Sequence, residues 1–372
     1  MSLFSQLEPY MTRAIGLARR AWGQTHPNPM VGALIVENDE VVAEGWHKAA
    51  GQPHAEVAAL SALGRAPAPD ATLYVTLEPC STCGRTGACT QAIIESGIRR
   101  VVVGATDPNP AHAGRGLELL RQAGIEVTHG VLEQDCADLN LIFNHWITTG
   151  TPLLAAKLAM TLDGKFAAAA GHSQWVTGAA ARADVMCWRR YFPAIAVGAN
   201  TVLHDDPSLT SRSGDTVFCP RRFVFDRHLK TLGRWPLPKL YADEYKENTV
   251  ILCLQSADPV RKAEATQNGI AYWELPGHAG QLDWGAFRHR CAQENICGVY
   301  LEAGPALATE VIESGKVDYL FIYQAPKFMA DSAARGIGSD RRTTRMEQAI
   351  RLENVRHAIL GEDVFTHGRL SK

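Results

Sequence analysis

The chain has 372 residues, 46% of them hydrophobic and 20% charged, with 32 glycines and 19 prolines. That length predicts two or three domains, with enough apolar surface for two cores that need no disulfides. Thirty-seven Lys and Arg against 39 Asp and Glu leave a net charge of −2, too little positive charge for a general nucleic-acid binder.

Met1–Arg20 mixes Glu8, Arg13, Arg19 and Arg20 with apolar residues and has no signal-peptide core. Tyr10, Ala14, Leu17 and Ala18 predict a helix over Tyr10–Trp22. Val31–Val36 and Val41–Glu44 read as a hairpin. A helix at His54–Leu63, a strand at Leu73–Leu77, a helix at Thr90–Ser96 and a strand at Arg100–Gly104 follow. A helix at Gly116–Ala123 and a strand at Ile125–Val131 complete a largely parallel sheet with helices on both faces. Turn-forming residues over Trp146–Pro152 mark a junction, which predicts domains at 1–148 and 149–372. The second half alternates again. Strands are expected at Leu153–Ala159, Ala194–Gly198, Arg222–Asp226, Thr249–Leu254, Gly298–Glu302 and Tyr319–Ala325, with helices at Ala180–Arg189, Trp284–Gln293 and Ala306–Ser314. Arg212–Arg221 and Arg234–Lys246 read as surface loops. No stretch reaches the roughly 18–20 uncharged apolar residues that span a bilayer.

Nine cysteines, an odd count, fit a reducing compartment, so the cytoplasm is the expected location. Cys80, Cys83 and Cys89 lie within ten residues of one another. His54-Ala-Glu56 opens a predicted helix, and Pro79-Cys80 follows a predicted strand. A hydrolytic zinc centre needs three protein ligands, an open position for water, and an uncoordinated carboxylate to move protons. His54 on the metal with Glu56 beside the water meets that need, and H-x-E with P-C is the signature of zinc deaminases. Three cysteines compete for two thiolate positions. A lone H-x-E occurs by chance, and a lone C-x-x-C favours metal or redox chemistry only modestly. The competing reading is a structural zinc with Cys83 as fourth ligand.

The strings His26-Pro-Asn-Pro-Met-Val-Gly32, His54-Ala-Glu56, Thr76-Leu-Glu-Pro-Cys80, Gly84-Arg-Thr86, Cys89 and Thr106-Asp-Pro-Asn-Pro110 resemble the deaminase half of the bifunctional riboflavin-biosynthesis deaminase–reductases. The resemblance implies a cytidine-deaminase-like three-layer α/β/α domain with one zinc on His54, Cys80 and Cys89, and Glu56 as the catalytic residue. In that family the two thiolates stand nine residues apart, as Cys80 and Cys89 do. In simpler deaminases the second thiolate precedes a basic residue by eleven, which matches Cys89 and Arg100. Asn28 is expected to line the substrate pocket. The chain departs from the family pattern at Ala59, Cys83 and Gly87-Ala88.

In the second half no G-x-G-x-x-G follows a strand, which disfavours a Rossmann dehydrogenase. Lys157-Leu-Ala-Met-Thr-Leu-Asp-Gly-Lys165, Gly171-His-Ser-Gln-Trp-Val-Thr177, Val197–Val202, Asp205–Arg212, Leu301–Pro305 and Tyr323–Pro326 resemble the reductase half of the same family, with a dihydrofolate-reductase-like α/β fold. The resemblance implies NADPH on Ala159, Trp175, Thr201, Asp205 and the turn Gly304, Pro305, Ala306, Leu307 and Ala308. It places substrate on Ser173, Arg189, Leu209, Arg212 and Glu302. Arg189 and Arg212 carry the planar charged fork suited to a phosphate monoester, and Gly304-Pro305 leaves backbone N–H groups free at a helix start.

The resemblance therefore implies two steps on one small phosphorylated pyrimidine, hydrolytic deamination and then NADPH-dependent reduction of its ribosyl group. It also implies a homo-oligomer, most simply a dimer, without nucleic-acid or membrane partners. Two other readings are a zinc nucleoside or RNA deaminase with a non-catalytic C-terminal binding domain, and a zinc-stabilised regulator. Near-neutral charge and the second set of motifs argue against the first, and intact Glu56 against the second.

Overall fold

The computed structural model describes residues 3–82, 87–172, 175–213, 216–337 and 342–371. The chain divides into two compact units, Met1–Gly150 and Thr151–Lys372.

The first unit runs α1 (Leu3–Arg19), β1 (Gly32–Glu37), β2 (Glu40–Trp46), α2 (Ala55–Leu63), β3 (Thr72–Leu77), α3 (Cys89–Ser96), β4 (Arg100–Ala105), α4 (Arg115–Gln122), β5 (Glu126–His129), α5 (Glu133–Asp138) and α6 (Leu141–Thr149). The sheet order is β2-β1-β3-β4-β5. Only β3, β4 and β5 are mutually parallel; β1 pairs antiparallel with both β2 and β3, so the expected parallel character holds for three strands. The reason is local. Asn38 and Asp39 both take positive φ, which turns β1 straight back as β2.

Every residue of β1 is buried, as befits a central strand covered on both faces. Gly32 and Gly45 show how close the cover is. A Cβ on Gly32 would lie 2.0 Å from Ala14 O in α1, and one on Gly45 would lie 2.3 Å from Ala59 N in α2. Gly45 pairs with Ala33, so it shares the face opposite Gly32. α1 and α2 therefore cover opposite faces, and the unit is a three-layer α/β/α sandwich. Helix α1 begins earlier than its spacing predicts, burying Met11, Ala14, Leu17 and Ala18.

The second unit contains β6 (Leu153–Thr161), β7 (Lys165–Ala167), α7 (Ala179–Tyr191), β8 (Ala194–Gly198), α8 (Ala199–Asp205), β9 (Arg221–Phe225), β10 (Thr249–Leu254), α9 (Pro259–Gln267), β11 (Ala271–Leu275), β12 (Gly277–His278), β13 (Gln281–Leu282), α10 (Trp284–Gln293), β14 (Gly298–Glu302), α11 (Pro305–Glu313), β15 (Tyr319–Ala325), β16 (Arg335–Gly336), β17 (Leu352–Leu360) and β18 (Asp363–Leu370). Nine strands form one sheet, β11-β10-β9-β8-β14-β6-β15-β18-β17. It is parallel as far as β15; the terminal hairpin β17–β18 adds on antiparallel.

Strand alternation divides the side chains between two faces. Leu154, Ala156, Leu158, Val299, Leu301 and Leu320 join one core with Phe223, Phe225, Trp284 and Phe287. Lys157, Ala159, Tyr300, Glu302, Phe321 and Tyr323 point to the other face, where Trp188 of α7 packs 4.5 Å from Phe321. That second face carries the polar residues.

The expected surface loop at Arg234–Lys246 is corrected. Leu240 and Tyr241 are 0% and 3% exposed, and Asp243 forms a bidentate pair with Arg222, itself fully buried on β9. The Arg222 guanidinium also donates to Thr249 Oγ1, Ser208 O and Leu240 O, so the segment folds inward to satisfy a charge that the sheet encloses. Among the described residues no helix is long and apolar enough to cross a membrane.

Candidate active sites

In the first unit, β3 ends at Leu77 and hands the chain to Pro79-Cys80, while α2 and α3 start beside it. His54 is the N-cap of α2 and Cys89 the first residue of α3, so two helix starts and one strand end converge. His54 Nδ1 lies 3.1 Å from Cys89 Sγ and 3.6 Å from Cys80 Sγ, and the three donor atoms lie within 4.8 Å of one another. A tetrahedral zinc with Zn–N and Zn–S bonds of about 2.0 and 2.3 Å sets such donors roughly 3.5 Å apart. The residues present fit the metal.

The electrostatics agree. A hydrogen bond from the Cys89 thiol, opposed by burial, holds the Cys80 sulfur down at about 4, and the Cys89 backbone N–H adds a second donor at 3.3 Å. The same contact with Cys80 pushes the Cys89 thiol up. One thiolate thus stands ready, and metal binding displaces the remaining proton. Cys83 lies outside the described residues.

Glu56, 3% exposed, faces the same cavity of about 160 Å³, lined by Asn28, Pro29, His47, His54, Glu78 and Asp107 among others. Burial pushes its carboxyl up to about 7, against the lowering influence of its own backbone N–H. An adjacent dication would favour its ionised form. Asn28 takes the predicted place on the wall. Its Nδ2 lies 3.4 Å from His47 Nε2, while His47 Nδ1 lies 3.1 Å from Pro53 O. With Nδ1–H donating to that carbonyl, Nε2 is the acceptor for the Asn28 amide. Asn140 anchors the strand entry by bonding both Met30 N and Met30 O, at 2.7 and 3.0 Å. His47, Glu78, Asp107 and Phe143 are cavity residues to which sequence reasoning gave no role; the Thr76–Cys80 and Thr106–Pro110 strings signalled Glu78 and Asp107.

In the second unit, β8, β14 and β6 lie side by side and parallel, so their carboxyl ends share one edge of the sheet. That edge is where ligands bind in parallel α/β sheets. It gathers Ala159 on β6, Thr201 on α8, Glu302 at the end of β14 and the Gly304–Ala308 start of α11. A Cβ on Gly304 would lie 3.7 Å from Thr201 Oγ1, and Pro305 occupies the first helical position, leaving the following N–H groups without helical partners. This Gly-Pro cradle beside a hydroxyl fits the phosphates of a dinucleotide.

Arg189 is paired with a neighbouring carboxylate. Its fork grips Glu302, Nε to Oε1 at 2.5 Å and Nη2 to Oε2 at 2.8 Å, and Nη1 donates to Thr210 O at 3.0 Å. The planar fork that suits a phosphate suits a carboxylate equally, and β14 supplies one at contact range. Burial works against ionised Glu302, yet Arg189 keeps its carboxyl below the usual range; burial also lowers Lys157 on the same face. Lys157 is a polar residue of this site that sequence reasoning quoted without a role. Leu209 is buried with φ +53°, whereas Asp205 and Arg212 are exposed. Trp175 is 64% exposed beneath the Arg182 guanidinium, and its carbonyl accepts from Lys327. Ser173 lies outside the described residues.

Residues 4–105 match the cytidine and deoxycytidylate deaminase zinc-binding region, and residues 152–366 match the RibD C-terminal domain. The riboflavin biosynthesis protein RibD of Actinobacillus pleuropneumoniae is 39% identical, over 96% of this chain and 93% of its own length. The protein of that name from Escherichia coli is also 39% identical, over 97% of this chain and 99% of its own. The solved Acinetobacter baumannii RibD (form 1) superposes with a TM-score of 0.78 at 35% identity, covering 99% of this chain and 100% of that one. A Thermotoga maritima structure, described as a diaminohydroxyphosphoribosylaminopyrimidine deaminase and 5-amino-6-(5-phosphoribosylamino)uracil reductase, superposes with a TM-score of 0.78 at 30% identity over the full length of both chains. With both halves matched and the His/Cys/Cys site in place, the chain belongs to the RibD family, bifunctional enzymes of riboflavin biosynthesis that join a zinc deaminase to an NADPH-dependent reductase.

Proposed function

We propose that the first unit deaminates 2,5-diamino-6-(5-phosphoribosylamino)pyrimidin-4(3H)-one, and that the second reduces the ribosyl group of the resulting 5-amino-6-(5-phosphoribosylamino)uracil to ribityl. The observation that carries this reading is the convergence of His54, Cys80 and Cys89 around one point, with buried Glu56 in the same cavity. His54 Nδ1 and the two sulfurs hold the metal. Zinc supplies, when bound, the Lewis acidity that makes water nucleophilic at neutral pH. Glu56 takes a proton from the attacking water and gives it to the ring nitrogen, then takes the proton of the newly added hydroxyl and gives it to the leaving amine. The C–N bond breaks, ammonia departs and a ring carbonyl remains. Asn28, its amide oriented by His47, reads the pyrimidine edge.

In the second unit Ala159, Trp175, Thr201, Asp205 and the Gly304, Pro305, Ala306, Leu307, Ala308 turn hold the cofactor. NADPH supplies, when bound, a hydride for C1′ of the ring-opened ribosylimine. Ser173, Leu209, Arg212 and the Arg189–Glu302 pair hold the substrate. Arg212, exposed, is the fork available to the phosphate, while Arg189 keeps Glu302 ionised and fixed. We also propose a two-fold dimer in the cytoplasm. The eight described cysteines are all free, which supports a reducing compartment. A single-chain mass by light scattering would contradict the dimer, and secretion in a fractionation experiment the location.

The ligand assignment is tested by zinc content. Cys80→Ser and Cys89→Ser each lose the metal and deaminase activity while the reductase step on pre-deaminated substrate survives. Cys83→Ser keeps both zinc and deamination. Greater zinc loss from Cys83→Ser than from Cys89→Ser would overturn the ligand set.

A further inference from the structure

Glu78 precedes the Pro79-Cys80 arm and is 5% exposed. Three backbone N–H groups donate to its carboxylate. Oε2 accepts from Asp107 at 3.1 Å and from Gly114 at 2.9 Å, and Oε1 accepts from Gly116 at 2.8 Å. Gly114 is the N-cap of α4 and Gly116 its second residue, so the carboxylate satisfies donors that a helix start leaves unpaired. The same contact is sealed from the other side. A Cβ on Gly116 would lie 2.2 Å from Pro79 O, so only glycine lets the helix start approach the metal-bearing arm this closely. Asp107 lines the cavity with Glu56, so its N–H bond to Glu78 ties the arm directly to the cavity wall, while its Oδ1 accepts from Asn109 N at 2.9 Å within the loop.

We propose that Glu78 is a positioning residue for deamination: it fastens the 106–116 loop and the start of α4 to the Cys80 arm, and so fixes the Asp107 side of the substrate cavity. Glu78 does not touch reacting atoms in this role. The proposal rests on the assignment of that cavity to deamination, and it deepens that assignment by naming what holds one wall in place. Replacing the carboxylate with an amide sets an NH₂ donor against a backbone donor, so at least one bond of the three is lost.

The test uses the full-length zinc-loaded enzyme with Glu78→Gln and, independently, Gly116→Ala. Deaminase KM and kcat, zinc content and reductase rate on the pre-deaminated substrate are measured together. The expected result for both variants is a deaminase KM raised about tenfold, a smaller loss in kcat, one zinc per chain and an unchanged reductase rate. Deaminase KM and kcat within twofold of the parent would overturn the proposal. So would zinc loss in step with activity, because Glu78 would then serve the metal arm rather than the loop. If Glu78→Gln does not fold, Gly116→Ala decides alone by the same criteria. Failure of the underlying site assignment is distinguishable, since Glu56→Gln would then leave deamination intact.

Discussion

Glu56→Gln lowers deaminase kcat by about 10³-fold, within the range that a positioned general acid–base supplies. The amide keeps the shape of the side chain in a site that is 3% exposed, so packing is undisturbed. It cannot accept the proton of the attacking water, and it cannot return protons to the ring nitrogen and the departing amine. Zinc content is expected to stay at one per chain, because Glu56 is not among the converging donor atoms, His54 Nδ1 and the sulfurs of Cys80 and Cys89, proposed to hold the metal. Reductase turnover on pre-deaminated substrate is unchanged. Ammonia release within tenfold of the parent would show that another group moves the protons.

Asp243→Ala destabilises the second unit by about 3 kcal/mol, the lower end of the cost of stripping one partner from a buried ion pair. Arg222 has no exposed side-chain area and Asp243 retains 23%, so water replaces part of what the carboxylate gave. Arg222 keeps Thr249 Oγ1, Ser208 O and Leu240 O as acceptors but loses both carboxylate oxygens. Ser208 belongs to a loop in which Asp206 and Leu209 both take positive φ, a conformation that persists only when its surroundings hold it. Reductase KM therefore rises along with the loss of stability. Denaturant unfolding and the reductase assay read the two effects. A stability change below about 1 kcal/mol would mean that solvent substitutes fully for Asp243.

His54 and Cys80 were legible as candidates because they stand at a predicted helix start and strand end, whereas the choice of Cys89 over Cys83 came only with the family resemblance; the structure brings His54, Cys80 and Cys89 together. The second-unit strands at 194–198, 249–254, 298–302 and 319–325 were read at their observed limits, since buried parallel strands are short apolar runs bounded by turns. Three kinds of feature escaped. Helices α5 and α9 have too few apolar residues in too short a span to stand out from loop, and apolar α6 runs into the Trp146–Pro152 stretch that reads as turn. The exposed hairpin partner β17 owes its existence to pairing with β18 rather than to its own pattern. The Arg234–Lys246 segment, with two prolines and no strand or long helix periodicity, reads as loop yet buries Leu240 and Tyr241, because the charge of Arg222 on β9 required partners there. Among site residues, the Arg189 fork reads in the sequence as a phosphate binder. Its actual mate, Glu302, lies 113 positions away in sequence, and only the sheet order of β8, β14 and β6 brings them together. Glu78 and His47 escaped for the same reason. The backbone N–H groups of Asp107, Gly114 and Gly116, and the Asn28 amide, become their neighbours only in the folded unit.

The most direct test is a paired assay on the purified protein given the diaminopyrimidinone ribosyl phosphate, following ammonia release and NADPH oxidation together, with and without a zinc chelator. The account predicts ammonia first, NADPH loss only after it, and both abolished by the chelator, while pre-deaminated substrate still consumes NADPH in the chelator's presence. NADPH oxidation of the diamino substrate without ammonia release, or ammonia release indifferent to the chelator, would contradict it.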